Sequence, residues 1–250
     1  MSDAQLRADV VEYAHLLAAR GWVANHDGNI TIRLGDGHFL ATPTATAKAR
    51  VSLDTLLVID DQGSKVGIAG GKPFSESSLH LAVYAARPDV RAVVHAHPPM
   101  ATGFAVAGVG LDTPFIAEAV VSIGPGIPMV PFAAPGATAA AALVPYLAEH
   151  DAVLLGNHGV LTWGADVEQA FLRMELVEHL AKVALVAHQL GGVQPLPASV
   201  LPTLADARAK AGLGPRGRDA ASAAAVPGAA PRNELGAIIR EEIARALRGS

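Results

Sequence analysis

Ala92-Val93-Val94-His95-Ala96-His97-Pro98-Pro99 reads as an apolar strand that delivers two histidines to its end, where the prolines stop further pairing. Residues i and i+2 of a strand share a face, so His95 and His97 can point at the same spot. A third imidazole, His158, follows a separate apolar run, Ala152 to Leu155, within Gly156-Asn157-His158-Gly159. Three imidazole nitrogens are the set a catalytic zinc site prefers, with one position left open for substrate. A lone histidine at a strand end more often caps or fills that end. Here the pair, the third histidine and an acid upstream, Glu76, weigh together toward a metal centre.

Working outward, Ala4 to Arg20 carries Leu6, Val10, Tyr13, Ala14 and Leu17 at helical spacing and ends at Gly21. Ile30–Leu34 and His38–Ala41 read as strands joined by the hairpin signal Gly35-Asp36-Gly37. Leu56–Ile59, Lys65–Ile68 and Met129–Phe132 read as further strands, and Val160–Trp163 as the hairpin partner of Ala152–Leu155. Helices are expected over Ser77–Arg87, Met100–Ala107 and Thr138–His150, the last kinked at Pro145. Asp166–Gln189 is the strongest helical pattern, closed by Gly191-Gly192. Hairpin signals mixed with helices favour a largely antiparallel sheet covered by helices.

Of the 250 residues 51% are hydrophobic and 17% charged, which places the chain among globular proteins; that length suits one large α/β domain. A net charge of −4 gives no basic footprint for nucleic acid. With no cysteine, disulfides and thiolate chemistry are excluded, and any metal must be held by histidine and carboxylate. Met1 to Val10 lacks the apolar run of a signal peptide, and no stretch has the length and apolarity of a membrane span. A soluble, cytoplasmic protein is the expectation.

Residues 1–213 read as the main domain, 214–232 as an Ala/Pro/Gly-rich linker, and 233–250 as an amphipathic helix. In that helix Leu235, Ile238, Ile239, Ile243 and Leu247 share one face, and Asn233 is a fitting N-cap.

Lys72-Pro73-Phe74-Ser75-Glu76-Ser77-Ser78-Leu79-His80 places Glu76 where a helix begins, with Ser75 as candidate N-cap and His80 as a structural residue one turn on. Alone, Glu76 would only complement the helix dipole. Taken with His95-Ala96-His97, Asn157-His158-Gly159, Gly28-Asn29-Ile30-Thr31 and Thr42-Pro43-Thr44, it resembles the class II aldolase/adducin family over about Leu6 to Leu190. That family includes L-fuculose-1-phosphate aldolase and L-ribulose-5-phosphate 4-epimerase.

The resemblance implies a three-layer αβα sandwich around a central, mainly antiparallel sheet, assembled as a homotetramer with its active sites at subunit interfaces. It implies Zn²⁺ held by His95, His97 and His158, with Glu76 as general acid/base. The implied reaction is cleavage of a ketose, such as a deoxy-ketose 1-phosphate, into dihydroxyacetone phosphate and an aldehyde. Decarboxylase, dehydratase and epimerase chemistry on a non-phosphorylated or acid substrate stay open on the same scaffold, as does a non-catalytic, adducin-like scaffold. Gly28, Asn29, Thr44 and Ser75 fall at the family's phosphate-binding places.

The sequence also departs from the pattern. His26 stands where a small hydroxyl residue is expected, Ala45 replaces the turn glycine, and Phe74 replaces a serine, which predicts a narrower or less polar anion pocket. Lys48 and Arg50 could supply charge or form a solvated loop. The stretch Thr113 to Glu118 contains no tyrosine proton donor, and Glu118 reads as a pocket or interface residue. The tail resembles an encapsulation peptide. Family members occur in bacterial microcompartments, so a shell or cargo protein is the implied partner.

Overall fold

The computed structural model describes residues 2–215. Eight strands form one sheet: β1 (Asn29–Gly35), β2 (His38–Ala41), β3 (Leu57–Ile59), β4 (Lys65–Val66), β5 (Ala92–Ala96), β6 (Met129–Val130), β7 (Ala152–Leu155) and β8 (Gly159–Gly164). Their order is β4-β3-β2-β1-β5-β8-β7-β6, antiparallel throughout except for the parallel pair β6–β7. The β1–β2 turn puts Asp36 and Gly37 at φ of 48° and 72°, the left-handed pair that a two-residue hairpin turn requires.

The α-helices among the described residues are α1 (Asp3–Ala19), α2 (Ser77–Ala86), α3 (Pro99–Ala107), α4 (Ala117–Ser122), α5 (Ala137–Leu143), α6 (Val167–Gln189) and α7 (Leu201–Lys210). Side chains alternate along each strand, and the sheet is covered on both faces. Ile30, Ile32, Val94, Leu154 and Val160 pack with α1, α3 and α6. Phe39, Ile59, Val93, Val153 and Leu161 pack with α2 and α5. The expected layered αβα arrangement is what forms.

The local signals act as their chemistry demands. Ser2 accepts the N–H of Gln5 at the start of α1, and Asp166 accepts that of Gln169 at 2.8 Å at the start of α6. On α6, Val167, Ala170, Phe171, Met174, Val177, Ala181 and Ala184 repeat at helical spacing and are buried. Glu178 of the same helix, also buried, accepts the backbone N–H groups of Met100 and Ala101 at 3.1 and 3.0 Å. This carboxylate caps α3 and fixes the chain directly after His97-Pro98.

Several expectations need correction. The helix expected to run to His150 ends at Leu143 and gives way to a single 3-10 turn, Val144–Tyr146, because Pro145 has no N–H to donate. The strands expected to reach Ile68 and Phe132 pair only to Val66 and Val130. Two helices went unread, α4 and α7, which pack on each other through Val120, Val121, Leu204 and Ala207. No helix among the described residues is long and apolar enough to cross a membrane. The proposed helix 233–250 and residues 216–232 of the linker lie outside the described residues.

Asp151, just before β7, is 1% exposed and meets three guanidiniums: Arg87 at 2.9 Å, Arg173 of α6 at 3.0 Å and Arg208 of α7 at 2.7 Å. Burial pushes its carboxyl up, but the charges of Arg173, Arg208 and Arg87 reverse this and hold it at about 2. A folded-state value below the unfolded one contributes stability above about pH 4 that is lost as pH falls toward 2. Asp151→Asn removes the carboxylate that three buried guanidiniums share and should destabilise by about 3–5 kcal/mol in urea unfolding at pH 7. A change below about 1 kcal/mol would contradict the lock.

Candidate active site

β5 lies at the middle of the sheet, and its end meets the start of β1, where Asn29 pairs with His95. His95 is fully buried, and its Nδ1 lies 2.9 Å from the Val160 carbonyl of β8. A carbonyl can only accept, so Nδ1 carries the proton and Nε2 is bare. His97 Nε2 comes within 3.1 Å of that bare nitrogen, while its Nδ1 faces Asp27 Oδ2 at 3.5 Å. His158 is brought in by the turn between β7 and β8, where Asn157 adopts a left-handed φ of 55°. One nitrogen from each ring lies within 4.8 Å of the others.

Two glycines make this convergence sterically possible. A Cβ on Gly159 would sit 2.5 Å from His97 Cδ2 and 2.6 Å from the Ala96 carbonyl. Gly28, at φ of 71°, would collide with Val23 at 2.5 Å and press on the His95 carbonyl at 3.0 Å. Both residues are small because imidazoles or their backbone pass where a side chain would be.

Glu76 completes the cluster at the N-terminus of α2, where it occupies the cap position without a side-chain capping bond. Its Oε1 lies 2.7 Å from His158 Nε2, and its Oε2 accepts Asn29 Nδ2 at 2.7 Å and stands 3.6 Å from His95 Nε2. Burial works against its charge. Hydrogen bonds from His158 and Asn29 and the proximity of His95 outweigh that and hold the carboxyl well below the usual range. Burial also lowers His95 to about 4, Glu76 opposing, and lowers His97 beside His158. His95 and His97 are therefore neutral at pH 7, the form in which imidazoles bind metals.

This donor set fits a divalent cation. With Nδ1 of His95 committed to a carbonyl, its bare Nε2 faces His97 Nε2 at 3.1 Å, a separation that a hydrogen bond between the rings or a shared cation satisfies. Carboxylate and carbonyl partners behind the rings are the usual supports of metal-binding histidines.

The segments expected around the anion do come together. Thr44 N–H donates to the Lys72 carbonyl at 3.0 Å, which lays the Thr44-Ala45 turn beside Phe74-Ser75. Ala45 takes a φ of 54°, so the turn keeps its left-handed shape despite the lost glycine, at a strain of about 1 kcal/mol. Thr44 and Ser75 are exposed, while Gly28 and Asn29 are buried.

Other expectations change. Phe74 does not narrow this pocket: it is buried in the core with its ring edge-on to His80 at 5.2 Å. Ser75 is not the N-cap of α2. Lys48 is no solvated loop residue. Only 2% exposed, it donates to the His26 and Thr46 carbonyls, both at 3.1 Å, and ties the two turns together. Burial lowers its ammonium to about 8 against the pull of Asp27 and Glu76. His26 contributes that carbonyl while its side chain is exposed, and Arg50 is exposed. Glu118 stands exposed on α4. His80 is structural as expected, with Nδ1 2.8 Å from Thr31 Oγ1. Asp27 went unread; an acid directly before Gly28-Asn29 was the available signal.

Residues 8–185 match the family described as the Class II Aldolase and Adducin N-terminal domain, and the chain belongs to that family. The 3-oxo-tetronate 4-phosphate decarboxylase of Pectobacterium atrosepticum is 32% identical over 191 residues, covering 74% of this chain and 86% of the relative. L-fuculose phosphate aldolase of Methanococcus maripaludis is 31% identical over 180 residues, 72% of this chain and 96% of the relative. Among solved structures, YgbL of Klebsiella pneumoniae superposes with a TM-score of 0.75 at 31% identity, over 82% of this chain and 99% of that one.

Gly159→Ala pushes a methyl into His97 and should weaken metal binding at least tenfold in a chelator competition, with the fold retained by circular dichroism. Undiminished metal affinity would show that the imidazoles do not need this close approach.

Proposed function

We propose that this protein is a zinc-dependent lyase that cleaves a ketose 1-phosphate into dihydroxyacetone phosphate and an aldehyde. The observation that carries the reading is Glu76, a charged carboxylate hydrogen-bonded to Asn29 on one oxygen and His158 on the other, beside three converging imidazoles. His95, His97 and His158 would hold Zn²⁺, which supplies a Lewis acid for adjacent carbonyl and hydroxyl oxygens of the substrate.

The residues of the chain do the rest. The Gly28-Asn29 turn, the Thr44 hydroxyl and Ser75 bind the phosphate, and the Lys48 ammonium holds the two turns in place. Glu76 takes the proton from the hydroxyl on the carbon whose bond breaks. The electron pair of the broken carbon–carbon bond passes to the carbonyl-bearing fragment, and Glu76 returns the proton to its carbon once the aldehyde has left. A carboxylate held below the usual range is ionised at neutral pH and so begins the cycle as a base.

Decarboxylation of a phosphorylated β-keto acid is the second reading, favoured by the 32% identity to 3-oxo-tetronate 4-phosphate decarboxylase. It needs the same electron sink with carbon dioxide as the leaving fragment. The intact donor set speaks against a non-catalytic scaffold.

We further read the chain as a homotetramer whose residues 214–232 tether an encapsulation helix at 233–250. Residues 215–250 fused to a fluorescent reporter should co-purify with microcompartment shells; an unassociated reporter would remove this part.

Glu76→Gln should abolish turnover in a ketose 1-phosphate cleavage assay while metal analysis still finds one zinc per chain. Near-normal turnover would refute the proton-transfer role. Carbon dioxide release from 3-oxo-tetronate 4-phosphate, with no cleavage of any ketose phosphate, would select the second reading.

A further inference from the structure

Lys48 is buried to 2% exposure on the 3-10 turn Lys48–Arg50. Among the described residues, the buried arginines and the other buried carboxylates sit in ion pairs. Arg87, Arg173 and Arg208 meet Asp151, and Glu178 has Lys182 at 3.4 Å. Lys48 instead has two neutral carbonyls, those of His26 and Thr46, and no carboxylate at ion-pair distance among the described residues. Burying an ammonium is costly unless a counter-charge meets it.

The nearby carboxylates are engaged elsewhere. Asp27 Oδ2 faces His97 Nδ1 at 3.5 Å with its side chain 43% exposed, and the two oxygens of Glu76 are bonded to His158 and Asn29. They pull on the ammonium from a distance without closing a pair. α1 packs on the same turn with His15, whose Nε2 lies 2.8 Å from the Val51 carbonyl, and with Glu12, exposed beside Leu53. Arg50, on the turn itself, is exposed.

The carbonyls that Lys48 holds mark where the counter-charge belongs. His26 leads into Gly28-Asn29 and Thr46 follows Thr44, so the ammonium lies where the two turns of the proposed phosphate site meet. Two of its three N–H groups are spent there. Asp27 and Glu76 stand near, so without the ammonium a dianion would arrive against like charge.

We infer that the substrate's anionic group is the missing partner of Lys48, which makes this residue the charge selector of the site. This rests on the reading of the two turns as the phosphate site. It adds that anchoring depends on the ligand's negative charge, and not only on neutral donors. A ligand with a neutral group there leaves the ammonium buried and unpaired, and so binds more weakly. Lys48 is thereby a specificity-determining residue that acts on the anchored end, not on the reacting carbons.

Sulfate is the probe, because it stays dianionic throughout the range in which Lys48 titrates. Calorimetry on the zinc-loaded full chain should find sulfate bound at pH 7, with affinity falling about tenfold per pH unit above about 8 as the ammonium is lost. Lys48→Arg keeps the charge and should bind sulfate with no fall up to about pH 10. Lys48→Met, with its fold checked by circular dichroism, should bind at least tenfold more weakly at pH 7, whereas Arg50→Met should bind as the unaltered chain does. Sulfate held by the zinc instead would be indifferent to Lys48→Met, and a fall with pH that persists in Lys48→Arg would belong to the metal. Either result, a flat profile for the unaltered chain, or no sulfate binding would overturn the inference. The two readings fail separately. The expected sulfate profile with no cleavage of any ketose 1-phosphate keeps the counter-charge and retires the lyase. Cleavage with a KM for the ketose 1-phosphate unmoved by Lys48→Met does the reverse.

Discussion

The hydrogen bond from His95 Nδ1 to the Val160 carbonyl crosses from β5 to β8 at 2.9 Å, and the site depends on it. It is available because the two strands pair in register, His95 opposite Leu161 and Ala96 opposite Val160. A different register would present another residue to the ring, and with the proton moved to Nε2 the cluster would lose a donor. The tautomer of a buried imidazole is thus set by strand pairing at the centre of the sheet. The remaining parts are arranged around that nitrogen: Gly159 clears space, Asp27 faces the far side of His97, and Asn29 steers Glu76.

The two ends of the central strands divide the work. Where β5 and β7 finish, the three imidazoles and the Glu76 carboxylate lie between a polar turn and a cavity. Where β7 begins, Asp151 gathers arginines that follow α2 or belong to α6 and α7. That charge cluster joins both helical layers to the sheet. Glu178 extends the support by capping α3 immediately beyond the His97-Pro98 exit.

Strong periodicity and punctuated turns were legible in the sequence: β5 with its histidine pair, the Asp36-Gly37 hairpin, and α6 with its apolar stripe. Glu76, His95, His97 and His158 were legible as a group because their types share one chemistry. What escaped was set by tertiary packing. α4 has six residues, too few to show a period, and α7 takes its place from contacts with α4 that lie far off in sequence. Lys48 looked like a surface charge, and only the fold reveals two carbonyls from separate turns waiting for its ammonium. Phe74 stands beside the anion turns in sequence, yet the turn into α2 aims it at His80 in the core. Ala45 shows the reverse case: the residue changed, but the surrounding hydrogen bonds hold the turn in its left-handed form.

The central claim is that His95, His97 and His158 form a zinc site beside Glu76. Anomalous diffraction at the zinc edge from crystals of the full chain tests it most directly. One strong peak per chain is expected, bonded to a nitrogen of each of the three imidazoles. Crystals grown with zinc that show no peak there, or a peak only elsewhere on the protein, would contradict it.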